Sequence, residues 1–434
     1  MDRLTVVDEI FLRTHRGLGT PIALQGLWRV PDRMDPTLLH AIHDQLRLGS
    51  LGRRVLRPRI PGARRAWQPN TRAHPLDLHA IPVLTENEIL SWADALGTDL
   101  DPEYGPGWRL SAAALHDGGT VVALTCSHAL ADARGLIHAV AIALAHLDAS
   151  ADGPAPIAPG PNAARTPEPS VGTMPVRSAN PPRDQARSDW ADAWSLWSTV
   201  LTGTVRALRH GVPTRPATTT TDATEARSVH STLLTFDATA WDTAATEADG
   251  TPNSLFLYLV ANILWENGFP HPTISASLPV DTRHEPRVDN DLAVTEIEIH
   301  RSDTPATLRA KARAAYQRRM TSPAGLPEEI LQVVPDRWAH ALSRGAGERD
   351  ILCSNIGTLP DTLRTVGPHH CDRVAARAIH PGLRAFPRTR LSGYLSRLGD
   401  TYTLALVDIS PHPETLPAAI TRACHTAHLT PAPW

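Results

Sequence analysis

Apolar residues recur at helical spacing just after Asp35-Pro36, where Leu39, Ile42 and Leu46 mark one face. An aspartate cap followed by proline in the first turn predicts a helix running to about Leu48. Residues 78–84 and 107–126 carry strand-like runs, and Asp117-Gly118-Gly119 between Leu115 and Val121 predicts the turn of a hairpin. The last strand of that hairpin, with Val121, Val122, Leu124 and Cys126, ends on Ser127-His128. Beyond Asp132 the period changes: Leu136, Ile137, Val140, Leu144 and Leu147 return at helical spacing. His128 is therefore expected at a strand-to-helix corner, with its ring turned to a cleft.

Patterning resumes with Trp190, Trp194, Trp197, Leu201 and Val205, an aromatic stripe read as the packing face of a helix. Further strands are expected over residues 231–236, 273–278, 293–300, 350–354 and 401–408. Helices are expected over 254–265, after Thr304-Pro305, and over 417–428. Strands and helices mix in both halves, which makes the chain α/β. Between the halves the composition turns to Pro, Ala, Ser and Gly, as in Pro154-Ala155-Pro156 and Ala179-Asn180-Pro181-Pro182. A segment with so few large apolar residues builds no core. The division is an N-terminal lobe over 1–150 carrying the Ser127-His128…Asp132 loop, a Pro/Ala-rich crossover linker over 151–187, and a C-terminal lobe over 188–434.

The length of 434 residues exceeds one ordinary core, and 42% apolar residues supports globular packing. Net charge is only -3, so no overall field draws the protein to nucleic acid or to an anionic membrane. The most apolar stretch, residues 254–265, is broken by Asn262 and is too short to span a bilayer. Met1-Asp2-Arg3-Leu4 opens no signal peptide, and four scattered cysteines lack metal spacing; free thiols and a cytoplasmic location are expected. His369-His370-Cys371 has no second cluster at ligand spacing, so no metal is expected there. Gly345-Ala346-Gly347 lacks the context of a phosphate loop.

Histidine titrates nearest physiological pH, so a ring fixed at a strand end can take a proton from an attacking hydroxyl or amine. Asp132 falls at the positive end of the following helix, where a carboxylate is favoured, and it can also pair with a distant Arg. Asp281 is the other carboxylate considered for His128; its strand-end position favours a structural role.

In this order the elements resemble the condensation-domain superfamily of acyltransferases, whose signature is His-His-x-x-x-Asp-Gly. Ser127-His128-Ala129-Leu130-Ala131-Asp132-Ala133 occupies the signature. Tyr104-Gly105-Pro106-Gly107-Trp108-Arg109-Leu110, Gly250-Thr251-Pro252-Asn253-Ser254, Pro279-Val280-Asp281-Thr282-Arg283 and Ser354-Asn355-Ile356-Gly357 follow other family elements in family order. The opening Leu4-Thr5-Val6-Val7-Asp8-Glu9-Ile10-Phe11-Leu12 is most similar to the wax ester synthase/diacylglycerol acyltransferase type and to polyketide-associated acyltransferases. The chain departs at two places: Ser127 stands for the first signature histidine and Ala133 for the glycine.

The resemblance implies two chloramphenicol-acetyltransferase-like lobes meeting in a V around a central tunnel. It makes His128 the catalytic base, with Asp132, Arg283 and Ser127 in structural or supporting roles; Asp132 would pair with Arg283. Ser354, Asn355 and Trp108 become candidates for lining the tunnel. The implied activity is transfer of an acyl group to a hydroxyl or amine acceptor in secondary or lipid metabolism. Acyl-coenzyme A or acyl-phosphopantetheine serves as co-substrate, no cofactor is permanently bound, and an acyl or peptidyl carrier protein is a candidate partner. The edited signature keeps two other readings open: a catalytically silent module that binds a carrier protein or partner enzyme, and a different reaction on a tethered intermediate.

Overall fold

The computed structural model describes residues 2–16, 21–76, 83–151, 182–210, 228–317, 332, 349–383, 386–410 and 415–434. Most of the expected linker, and residues 78–82 of the strand expected over 78–84, lie outside that set. Helix α1 (Val6–Arg16) opens the chain and strand β1 (Ala23–Val30) follows; α2 (Pro36–Leu48) starts where the Asp35-Pro36 pattern places it. The Asp35 carboxylate accepts the Thr37 N–H at 2.8 Å, while Leu39, Ile42 and Leu46 are buried. A small ribbon, β2 (Arg53–Leu56) with β3 (Ala66–Pro69), precedes β4 (Val83–Leu84) and the short α3 (Ile89–Asp94). The hairpin is β5 (Trp108–Leu115) and β6 (Thr120–Ser127), and α4 (Ala133–Ala151) follows it.

The second half contains α5 (Pro182–His210), β7 (Ser228–Asp237), α6 (Ala238–Glu247), α7 (Pro252–Glu266), β8 (Thr273–Asp281), β9 (Leu292–His300) and α8 (Pro305–Gln317). It continues with β10 (Ile351–Thr358), β11 (Thr365–Val366), β12 (His369–His370), β13 (Arg373–Ile379), β14 (Leu391–Leu398) and β15 (Thr401–Ser410). A helix at Leu416–Thr426 and β16 (Ala432–Pro433) close the chain.

Two sheets organise these elements. One runs β13-β1-β6-β5-β4 and the other β16-β7-β15-β14-β10-β8-β9. Each carries its own apolar core, the first around Leu27, Leu124 and Leu130 and the second around Phe256, Leu259 and Trp241. Ala405 and Val407 of β15 belong to the first core, so the two halves share apolar contact. β13 pairs with β1 along its length, from Ala23↔Ile379 to Arg29↔Arg373. The 188–434 segment therefore supplies a strand to the N-terminal sheet as well as building its own.

Helix α5 overturns the expected packing face. Trp190, Trp194 and Trp197 are 65%, 81% and 45% exposed, while Ala193, Leu196 and Val200 are buried. The inward face carries Asp189, which accepts from Arg3 at 2.8 Å, and Asp192, which accepts from Arg64 at 2.6 Å. Paired charges on the N-terminal half fix this helix, and they outrank the aromatic stripe in setting which side is buried.

All four cysteines are unpaired and buried, as the spacing implies. No helix among the described residues is long and apolar enough to cross a membrane, and no group of three or more His, Cys, Asp or Glu suits a metal ion. His369 instead faces Asp32 at 3.4 Å.

Candidate active site

Strand β6 delivers His128 to a corner held by both halves of the chain. Ser127 N–H donates to Gly107 O at 2.8 Å and His128 N–H donates to Ile22 O at 3.1 Å, which extends the pairing of β6 past its last strand residue. Asp132 then caps α4: its Oδ1 accepts the Gly135 N–H at 2.8 Å. The corner is thus a strand end joined by five residues to a helix start.

The loop between β8 and β9 clamps this corner from the other half. Arg283 donates through Nη2 to Asp132 Oδ2 at 2.6 Å, and the side chains are 9% and 7% exposed. Asp291 N–H donates to Asp132 Oδ2 at 3.0 Å, and Arg283 Nη2 also reaches Asp289 O at 3.0 Å. Arg53 from the first half pairs with Asp289 at 2.5 Å, donates to Leu130 O, and lies 4.0 Å over the Trp67 ring. Asp281 sits 3.1 Å from Arg283 Nη1, so it belongs to this clamp and not to the histidine.

Close approach of the clamp to α4 depends on Gly135. A Cβ there would lie 2.3 Å from the Val288 carbonyl oxygen, a backbone atom that cannot swing away. Gly135→Ala is expected to destabilise the fold by about 1–3 kcal/mol, the usual range for overpacking. Denaturant midpoints check this, and an unchanged midpoint would show that the loop is free to retreat.

His128 itself is half-buried. Its Nδ1 is 3.0 Å from Asn290 Oδ1, and its ring stacks on Phe11 with centroids 3.6 Å apart and planes inclined by 11°. The other ring nitrogen, Nε2, makes no hydrogen bond among the described residues and is not one of the sealed polar atoms. Burial lowers the proton affinity of the ring below its ordinary 6.5, with the backbone carbonyl of His128 itself, the nearby Asp132 charge and Asn290 opposing that shift. One ring nitrogen is thus held, and the other is unbonded among the described residues.

Asn290 is in turn held by Asp8, whose Oδ1 accepts Asn290 Nδ2–H at 2.8 Å and Asn290 N–H at 3.3 Å. Asp8 is placed by a capping box: Thr5 Oγ1 accepts the Asp8 N–H at 3.0 Å, and Asp8 Oδ2 accepts the Thr5 N–H at 2.9 Å. Phe11 lies three residues further along α1, on the same face. Burial pushes the Asp8 carboxyl upward, while hydrogen bonds from Asn290 and Thr5 and the Arg53 charge oppose the shift.

Sequence reasoning missed Asn290. Its only signal was the polar run Asp289-Asn290-Asp291 between two strands, which reads as an ordinary loop.

The remaining candidates divide. Ser127 is buried, and its Oγ accepts the Ala129 N–H at 3.4 Å, so it braces the turn. Ala133 starts α4 and is not among the positive-φ residues, so alanine in place of glycine carries no strain. Trp108 is 2% exposed and packs in the first core beside His43. Strand alternation turned its side chain inward.

On β10, Ile351 and Cys353 belong to the second core and Ile356 to the first, which puts Ser354 on the face toward the His128 half. Asn355 is exposed and donates to Asn253 Oδ1 at 2.9 Å, and Asn253 donates to Tyr316 Oη at 3.1 Å. A bulge at Asn355/Gly357, with φ +80° at Gly357, lets Arg134 of α4 approach β10 and donate to Thr358 O at 3.3 Å.

Among solved structures, the chain is similar to the first condensation domain of the calcium-dependent antibiotic synthetase in complex with a substrate analogue. The TM-score is 0.59 at 15% identity, covering 98% of this chain and 95% of that one. It is similar to polyketide synthase associated protein 5 from Mycobacterium tuberculosis, with TM-score 0.55, 15% identity, and coverage of 98% and 97%. It also matches the nonribosomal peptide synthetase FmoA3, with TM-score 0.54 and 16% identity over 98% of this chain but only 42% of that one. The chain thus spans less than half the length of that synthetase. No protein-family model and no curated relative matches. At these identities the likeness establishes the fold, which is that of condensation domains.

Proposed function

We propose that this protein is an acyltransferase that moves an acyl group from a coenzyme A or carrier-protein thioester to a hydroxyl or amine acceptor, with His128 as general base. The observation that supports this best is the geometry of the imidazole: it is clamped through Nδ1 and one face, and Nε2 makes no hydrogen bond among the described residues. In the proposed reaction the acceptor O–H or N–H hydrogen-bonds to Nε2 and loses its proton there as the heteroatom attacks the thioester carbonyl carbon. The carbonyl electron pair moves to oxygen, giving a tetrahedral oxyanion. Collapse restores the carbonyl, breaks the C–S bond, and expels a thiolate that recovers the proton from His128. No covalent enzyme intermediate is required.

Asp132 and Arg283 act as the brace of the loop, and Ser354, on the face of β10 toward the His128 half, is proposed to line the substrate passage, with the exposed Asn355 beside it on the opposite face. The resemblance to the wax ester synthase/diacylglycerol acyltransferase type favours ester over amide formation, in natural product or lipid metabolism. A small-molecule acceptor, a carrier-protein partner and a cytoplasmic setting belong to the same reading, which the four unpaired cysteines suit.

The test is a panel of acyl-coenzyme A and acyl-carrier thioesters offered with alcohols and amines, read by free thiol and by product mass. Thiol and acylated product are expected in equal amounts. A base must be unprotonated to act, and burial lowers the His128 proton affinity, so the acid limb of the rate profile is expected below pH 6.5. Tight carrier binding without thiol release from any pair would replace this reading with that of a silent docking module. A mass change on a tethered intermediate without transfer would assign the base to another reaction.

A further inference from the structure

We infer that Asn290 is a positioning residue that locks His128 in the tautomer bearing its proton on Nδ1, with Asp8 as the anchor of the lock. This deepens the acyltransfer reading and rests on it for its catalytic meaning; the tautomer itself is a property of the resting protein.

Asn290 offers one end of its amide to acceptors only. Nδ2 has Asp8 Oδ1 at 2.8 Å, His128 O at 2.9 Å and Ala129 O at 3.4 Å. An amide oxygen placed there would face three acceptors with no proton between them, so the NH2 group must occupy that end. The oxygen then faces His128 Nδ1 at 3.0 Å and can only accept. Nδ1 must therefore supply the proton, and in a neutral imidazole the lone pair is left on Nε2.

The same amide also donates to the backbone carbonyl of His128 at 2.9 Å, which ties Asn290 to the main chain beside the ring. Asp8 completes the lock because it is buried, fixed by its own capping box, and bonded to both the side chain and the backbone N–H of Asn290. Its carboxylate prevents the amide from flipping, and the Phe11 face keeps the ring in plane. The base nitrogen is thus selected by a chain of hydrogen bonds running from α1 through the β8–β9 loop.

The experiment is long-range nitrogen–proton correlation on histidine-labelled protein at neutral pH, with the His128 signals identified by their loss in His128→Gln. Wild-type protein is expected to show protonated Nδ1 and unprotonated Nε2. Asn290→Leu keeps the volume and removes the amide, and is expected to give a mixture of both tautomers with a matching fall in kcat where turnover exists. Asn290→Ala serves as the second variant if leucine does not fold.

A wild-type ring protonated on Nε2 would overturn the inference. So would a folded Asn290 variant that keeps the pure Nδ1–H form. A locked tautomer in a protein that consumes no thioester would leave the lock standing and remove the acyltransfer reading.

Discussion

Arg283→Ala is expected to destabilise the protein by about 3–5 kcal/mol, because it leaves the Asp132 carboxylate buried without its cation. Asp132 keeps the Gly135 and Asp291 N–H donors in that variant, and these soften but do not replace a charge partner. Asp132→Ala is expected to be at least as severe. It leaves Arg283 with the more exposed Asp281 as its remaining charge partner, with its Nε unbonded among the described residues, and it also removes the cap of α4. The two residues lie 151 positions apart in the chain, so the loss separates the two halves at the corner that holds the histidine. Denaturant unfolding of both single variants and of the double variant measures the coupling. Additive losses, or losses under about 1 kcal/mol, would show that the pair is incidental.

His128→Ala is expected to lower acyl transfer by about 10²–10⁴-fold, the range associated with a positioned acid–base group. Stability is expected to change far less than for the Asp132–Arg283 variants, since the ring is half-buried and, among the described residues, its one side-chain hydrogen bond is to Asn290. The contrast between the two positions is itself diagnostic: one carries the fold and the other the proton. Steady-state rates beside denaturant midpoints separate the two effects. A variant that loses activity only in proportion to its unfolded fraction would make His128 a packing residue.

Much of the site was legible because its chemistry is local in sequence. The hairpin turn, the strand ending at Ser127 and the helix following Asp132 all sit within about two dozen residues, and their periods change cleanly there. The Asp132–Arg283 contact was reached through the motif resemblance, and the coordinates bring those two side chains together. Asn290 was not legible, because its role exists only once a loop 162 residues away folds against the corner.

The same limit explains the missed strands. β1, with buried Gln25 amid apolar residues, and β13, with buried Arg377, break the alternation that announces a strand. The two polar groups pair with each other: Arg377 donates to Gln25 Oε1 at 2.7 Å and meets Asp94 at 2.8 Å, and Gln25 donates to Ala93 O at 2.8 Å. Such pairing lies beyond what a single stretch of sequence displays. The tryptophans of α5 failed in the opposite direction, since their spacing was clear but paired aspartates decided which face turned inward.

The most direct measurement of the central claim is single-turnover transfer by wild-type protein and His128→Ala in parallel, using one thioester and one acceptor drawn from the active pair. Wild-type protein is predicted to release thiol and form acylated product together, while the folded variant forms product at least about 100-fold more slowly. Equal product from both proteins would contradict the account and place the proton transfer elsewhere.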